Sequence, residues 1–189
     1  MQTETFALIV GGGPVGLSAA IELNWRGVPN ILINDNLETA KHPKCNNTNA
    51  RSMEHFRRLG IANELRSEGL VGRIERASAY VTRFCGYEFG RLPRPYSDWP
   101  TPEIPNNVPQ MVLERALRRC AERPSGAHIH FGWRLNSFAE RDDHVVAEVE
   151  NVQTGERRHI TSPMPVFIPS PPSGVNRCAA SPAKNTRPD

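Results

Sequence analysis

The chain has 189 residues, 38% of them apolar, a mean hydropathy of −0.50 and a net charge of +3. That length suits one domain, or one domain with an insertion, and the apolar content supports a core over part of the chain only. Scattered Lys and Arg exclude a nucleic-acid stripe, no apolar run reaches the length of a membrane span, and four dispersed cysteines (Cys45, Cys85, Cys120, Cys178) without a C-x-x-C pair exclude a thiolate metal site or disulfide framework.

The first ten residues, "MQTETFALIV", carry no basic leader region and no small-residue cleavage site. The expectation is a cytoplasmic protein with reduced thiols. Phe6 to Val10 is a continuous apolar run, as in a parallel strand buried on both faces. From Pro14 to Arg26 the pattern is helical, with Leu17, Ala20 and Ile21 on one face and Gly27 at the C-terminal cap. Asn30 to Asn34, "NILIN", reads as a second buried strand, so the first 35 residues form a βαβ unit.

A polar loop follows, then a helix from Ala50 to Leu59 that ends at Gly60. Residues 73–91 alternate as strands, with Gly86 placed for a hairpin turn between Phe84 and Tyr87. The proline-rich stretch "RLPRPYSDWPTPEIPNNVP" is a loop. Gln110 to Ala121 is amphipathic, with Leu113, Ala116, Leu117, Cys120 and Ala121 on one stripe. "AHIHF", "RLNSF" and "HVVAEVE" read as strands, and "TGE" turns the last of them into "RRHIT". Residues 163–189 hold seven of the seventeen prolines and show no helical or strand period, so an irregular tail is expected there.

Gly11, Gly13 and Gly16 form G-x-G-x-x-G between the first strand and the first helix. The first permits the tight turn, the second lets backbone approach a pyrophosphate, and the third lets helix and strand pack closely. Pro14 opens the helix, whose free N–H groups face the phosphates. A dinucleotide site also wants an acidic residue at the end of the second strand to hold ribose hydroxyls. That position is Asn34, with Asp35 next to it, and either side chain can accept a ribose O–H.

Three segments, "GGGPVGL", "HPKCNNTNARSMEHFRRLGI" and "PQMVLERAL", resemble the FAD-dependent aromatic hydroxylases. These are single-component flavoprotein monooxygenases related to para-hydroxybenzoate, phenol and hydroxyphenylpropionate hydroxylases. The resemblance runs from about Ala7 to Thr161. It implies an α/β, Rossmann-like FAD-binding domain of the glutathione-reductase type, a βαβ unit with a β-meander, over 1–162. Residues 73–108 would begin the inserted substrate-domain sheet. It implies FAD as cofactor, NADPH or NADH as transient reductant, and a small phenolic substrate. By match with the family's motifs, Arg51 and Gln110 contact the FAD.

The family's downstream Asp-Gly and Gly-Asp motifs are absent, since neither dipeptide occurs in this sequence. The expectation is therefore an N-terminal portion, truncated, whose tail from 163 fits an out-of-frame continuation and whose flavin affinity and activity are low. Two rivals remain: a non-catalytic nucleotide-binding remnant, and an NAD(P)-linked dehydrogenase, a layout in which "NARSME" and "PQMVLE" have no place. His128 and His130 share one side of a strand without metal-like partners and are expected at its surface. Asp142 and Asp143 sit in a turn, Tyr96 and Trp99 either line an aromatic substrate pocket or, the favoured reading, only pin the proline-rich loop, and Tyr87 is at most a pocket candidate.

Overall fold

Continuous burial along two short runs, "ALIV" and "NILIN", organises the first half of the architecture. The computed structural model describes residues 3–42, 44–69, 77–93, 100–124, 127–167 and 176–178. It divides into two compact units, Met1–Lys41 with Leu117–Asp189, and His42–Ala116.

In the first unit, β1 (Ala7–Val10), α1 (Pro14–Trp25) and β2 (Asn30–Asn34) form the expected βαβ unit. β1 and β2 pair in parallel, Leu8 opposite Ile31 and Ile9 opposite Leu32. Both faces of these strands are buried, as continuous apolar runs require. α1 buries Gly16, Leu17, Ala20 and Ile21. Full burial of each large apolar side chain is worth about 1.5–3 kcal/mol.

The unit's later strands are β7 (His128–Phe131), β8 (Trp133–Glu140), β9 (Val145–Asn151), β10 (Arg157–Ser162), β11 (Met164–Phe167) and β12 (Asn176–Cys178). β11, β1, β2 and β7 make one sheet in that order, parallel throughout. β8, β9 and β10 form an antiparallel meander, with β12 parallel to β8. Leu8, Ile31 and Ile33 of the parallel sheet pack with Trp133, Leu135, Ala147, Val149 and Ile160 of the meander into one core.

Most of the tail read as irregular, residues 168–175 and 179–189, lies outside the described residues. Chain after Ser162 continues as a strand for four residues and returns to strand at Asn176–Cys178. Pro165 is compatible with β11 because, among the described strands, β11 lies at the sheet edge, where an N–H is dispensable. Ser162, fully buried, directs the chain from meander to sheet: its hydroxyl donates to the Phe6 carbonyl at 3.0 Å and accepts the Met164 N–H at 3.2 Å.

The second unit holds β3 (Asn47–Thr48), α2 (Ala50–Arg58), α3 (Ala62–Ser67), β4 (Ala77–Val81), β5 (Glu88–Pro93), β6 (Asn106–Asn107) and the start of α4 (Gln110–Glu122). α2 starts where Asn49 caps it, accepting the Ser52 N–H at 2.8 Å. Met53 and Phe56 of α2 and Ala62 and Leu65 of α3 are buried. Asn106, itself buried, donates to the Leu65 carbonyl at 2.8 Å. β4 and β5 form a separate hairpin whose turn contains Gly86, as expected, with its N–H on the Arg83 carbonyl at 2.9 Å. Residues 106–107, part of the stretch read as a proline-rich loop, pair with β3.

Candidate functional site

The glycine segment joins β1 to α1 in the geometry its sequence requires. Gly11 has φ +116°, a conformation L side chains rarely adopt, and its N–H bonds the Ile33 carbonyl at 2.8 Å. Gly13 is the extended N-cap of α1 and Pro14 occupies the first turn. No side chain caps that turn and no acidic residue lies in it. The N–H groups of Val15 and Gly16 therefore point out of a twelve-residue helix whose dipole favours an anion. The loop suits a pyrophosphate: backbone donors, a positive helix end and no resident carboxylate to compete.

Gly12, to which the motif assigns no role, is sterically confined. A Cβ there would lie 2.8 Å from Cζ of Phe131 and 2.9 Å from Cβ of Asn34. Its N–H donates to Oδ1 of Asn34 at 3.0 Å. Asn34 and Phe131 are register partners on β2 and β7, so the sheet itself presses both against the loop. The Arg118 guanidinium lies 3.9 Å from the Phe131 ring centroid and pairs with Glu122 at 2.7 Å. The only sequence signal for this packing was the third consecutive glycine.

At the end of β2, Nδ2 of Asn34 reaches the Asn36 carbonyl at 3.3 Å. Asp35 is exposed, and its Oδ1 accepts the backbone and side-chain N–H groups of Asn36 at 2.9 and 3.1 Å. Asn34 is thus the residue engaged with the glycine loop, and Asp35 turns to its chain neighbour.

Arg51 and Gln110 belong to the second unit. Arg51 sits in the first turn of α2, where the helix dipole disfavours a cation, and its side chain is 80% exposed. Its Nη1 donates to Oε2 of Glu54 at 2.8 Å, while Thr101 Oγ donates to the other oxygen. The Thr101 hydroxyl first, then the Arg51 guanidinium, hold the Glu54 carboxyl below its usual range. Gln110 opens α4 with its N–H on the Cys45 carbonyl at 2.8 Å and its Nε2 on Oε1 of Glu114 at 2.7 Å. Glu114 is buried. Nearby in this unit, the buried carboxylate of Glu103 is paired by Arg66 and, at 3.7 Å, by Arg57 beside an open cavity of about 430 Å³. That cavity is lined by none of the residues expected to bind cofactor.

The remaining candidates fall elsewhere. His128 and His130 stack at 6.3 Å, but both are partly buried rather than on the surface expected for them. Burial first, and then His128, lower the pKa of His130. Their strand register puts them on the meander side, opposite Ile31 and Ile33. Asp143 is 88% exposed in its turn and contacts His144 at 2.6 Å. Tyr87 is 71% exposed. Tyr96 and Trp99 lie outside the described residues.

A parallel sheet with a glycine turn at a bare helix start, crossed by an antiparallel meander, defines a dinucleotide-binding α/β domain. The chain belongs to the FAD binding domain family, whose profile matches residues 4–164. It is 32% identical to phenol 2-monooxygenase of Pseudomonas sp. (strain EST1001) over 161 residues, covering 81% of this chain and 26% of that protein. It is 33% identical to the FAD-dependent monooxygenase apdD of Emericella nidulans over 173 residues, covering 82% and 28%. Among solved structures, the rebeccamycin biosynthetic enzyme RebC with reduced flavin superposes with a TM-score of 0.81 at 33% identity, covering 92% of this chain and 34% of that one. The flavin-dependent monooxygenase PieE, in complex with FAD and substrate, gives 0.79 at 29% identity, covering 86% and 29%. The chain thus spans about a quarter to a third of the length of these relatives. Among the described residues, no helix is long and apolar enough to cross a membrane.

Proposed function

We propose that this chain is the FAD-holding part of a cytoplasmic flavoprotein monooxygenase that hydroxylates a phenolic substrate with NADPH or NADH and O2. The observation that carries the reading is the uncapped start of α1 behind a glycine turn that admits no Cβ at Gly12. Family membership and relatives named for phenol and 2,4-dichlorophenol monooxygenation support the choice of flavin and substrate class.

The outward N–H groups of Val15 and Gly16, at the start of α1, hold the pyrophosphate. Asn34 meets the ribose, since its carboxamide already borders the loop and keeps one N–H and one lone pair free of the bonds to Gly12 and Asn36. Arg51 offers charge to a phosphate, and Gln110 offers an amide to ribitol or flavin polar groups. The chemistry the flavin brings is two-electron transfer from a nicotinamide and delivery of one oxygen atom of O2 to an electron-rich ring. The chain's own task is to bind, orient and shield.

The test is a titration of FAD into the purified chain, followed by loss of flavin fluorescence. Saturable quenching is expected, weakened at least about tenfold by Gly13→Leu, which puts a side chain where a phosphate approaches. No quenching, or equal quenching by the variant, overturns the assignment. Retention on immobilised NAD without flavin binding would favour a dehydrogenase instead.

A further inference from the structure

We infer that Glu114 is a positioning residue, one that fixes which way the Gln110 carboxamide faces and so which hydrogen-bonding groups the start of α4 presents. The inference rests on the reading of Gln110 as a flavin contact. Three features carry it. Glu114 is only 3% exposed, an unusual place for a carboxylate on a helix, because burying one is unfavourable without partners that satisfy it. It stands one turn after Gln110, and Oε1 lies 2.7 Å from Gln110 Nε2. The Gln110 backbone is pinned independently through its N–H on the Cys45 carbonyl, so the carboxamide orientation is what Glu114 controls.

The chemistry of the pair decides the geometry. A carboxylate accepts hydrogen bonds and donates none, whereas a carboxamide has a donor end and an acceptor end. Only the Nε2 end of Gln110 can face Glu114. Oε1 is therefore turned the other way, with the second Nε2 hydrogen beside it. An oriented amide of this kind recognises a group that itself donates, such as a ribitol hydroxyl or the flavin imide N–H. A glutamine at 114 would accept or donate equally well, and the Gln110 amide would lose its fixed sense. The Arg51–Glu54 contact at 2.8 Å repeats the design at α2, with a carboxylate one turn downstream holding a polar head near the helix start.

The experiment is a double-mutant cycle on the full chain using FAD itself, with Gln110→Ala, Glu114→Gln and the double variant. Glu114→Gln keeps the shape of the side chain, so a purely structural role predicts unchanged binding. We expect the FAD Kd to rise about three- to tenfold, the range of one modest hydrogen bond, with the melting temperature near that of the parent. In the Gln110→Ala background the same change should do nothing. A Glu114→Gln variant that binds like the parent, or an effect that persists without Gln110, overturns the inference. A flavin-independent readout separates this from the fate of the binding reading. In a 15N-resolved spectrum of the flavin-free chain, one Gln110 side-chain amide proton should be shifted downfield and protected from exchange, and Glu114→Gln should abolish both signatures. If the parent lacks them the inference fails, whatever FAD does; if they are present and FAD does not bind, only the functional reading fails.

Discussion

The two units make their binding groups from different material. In the first, the candidate site is backbone: N–H groups of a glycine turn, shaped by strands whose two faces are both buried. In the second, it is side chain: Arg51 and Gln110, each held by a glutamate one turn further on. The packing differs in the same sense. Leu8, Ile31 and Ile33 sit in a core closed by three meander strands, whereas Tyr80, Phe84, Tyr87, Phe89 and Leu92 of the β4–β5 hairpin are 56–103% exposed. A backbone site tolerates no added atom because its walls are the sheet; a side-chain site degrades by degrees because each contact can be weakened separately.

The largest expected effect tests the packing half of that contrast. Ile31→Ala removes a fully buried side chain from the shared core and should destabilise the chain by about 2–5 kcal/mol, read as a lower denaturant midpoint. Phe84→Ala deletes more atoms from the hairpin tip, where the ring is fully exposed, and should change the same midpoint by less than about 0.5 kcal/mol. Equal losses at the two positions would mean that the hairpin is packed and the contrast false.

Next in size is Gly12→Ala, a single methyl against the wall formed by Phe131 and Asn34. With contacts at 2.8 and 2.9 Å, the ring or the loop must shift, and such overpacking costs about 1–3 kcal/mol. Displacement of the loop also misplaces the N–H groups, so flavin quenching should fall more than stability does. Pairing the change with Phe131→Leu, which opens the wall, should recover part of both. If Gly12→Ala binds flavin as the parent does, the loop is not sterically set and the first unit loses its distinguishing property.

The same contrast explains what the sequence made legible. β1, α1 and β2 could be read because continuous apolar runs, a 3.6-residue stripe and three glycines all agree, and the Arg51 and Gln110 motifs stood in recognisable helix starts. β3 and β6 are two residues each and carry no period; their pairing depends on where the rest of the unit brings the chain. α3 spans only six residues, "ANELRS", and leans on buried Ala62 and Leu65 rather than on propensity. β11 was hidden by Pro165 and the preceding Pro163, although an edge position among the described strands tolerates a proline. Gly12 and Glu114 were missed because their importance lies in partners far away in space or in burial: Phe131 is distant in sequence, and nothing in "QMVLE" says that its glutamate is inside.

The smallest effect expected comes from His130, on the inner side of the first unit. Its pKa lies below the ordinary imidazole value of 6.5, first through burial and then through the neighbouring His128. The unfolded chain therefore binds this proton more readily than the folded one. Above pH 6.5 neither state is protonated there and the residue leaves stability independent of pH. As pH falls through 6.5 toward the lower folded value, the unfolded state gains a proton first and stability declines. Because Nε2 is buried without a hydrogen-bond partner among the described residues, protonation would add charge where none of them receives it. Arg158, also near, acts in the same direction. Denaturant midpoints measured from pH 7.5 to 5.5 should drop for the parent and drop less for His130→Gln. A parent curve as flat as that of the variant would place the imidazole in solvent, and with it the face of β7 that the meander is argued to cover.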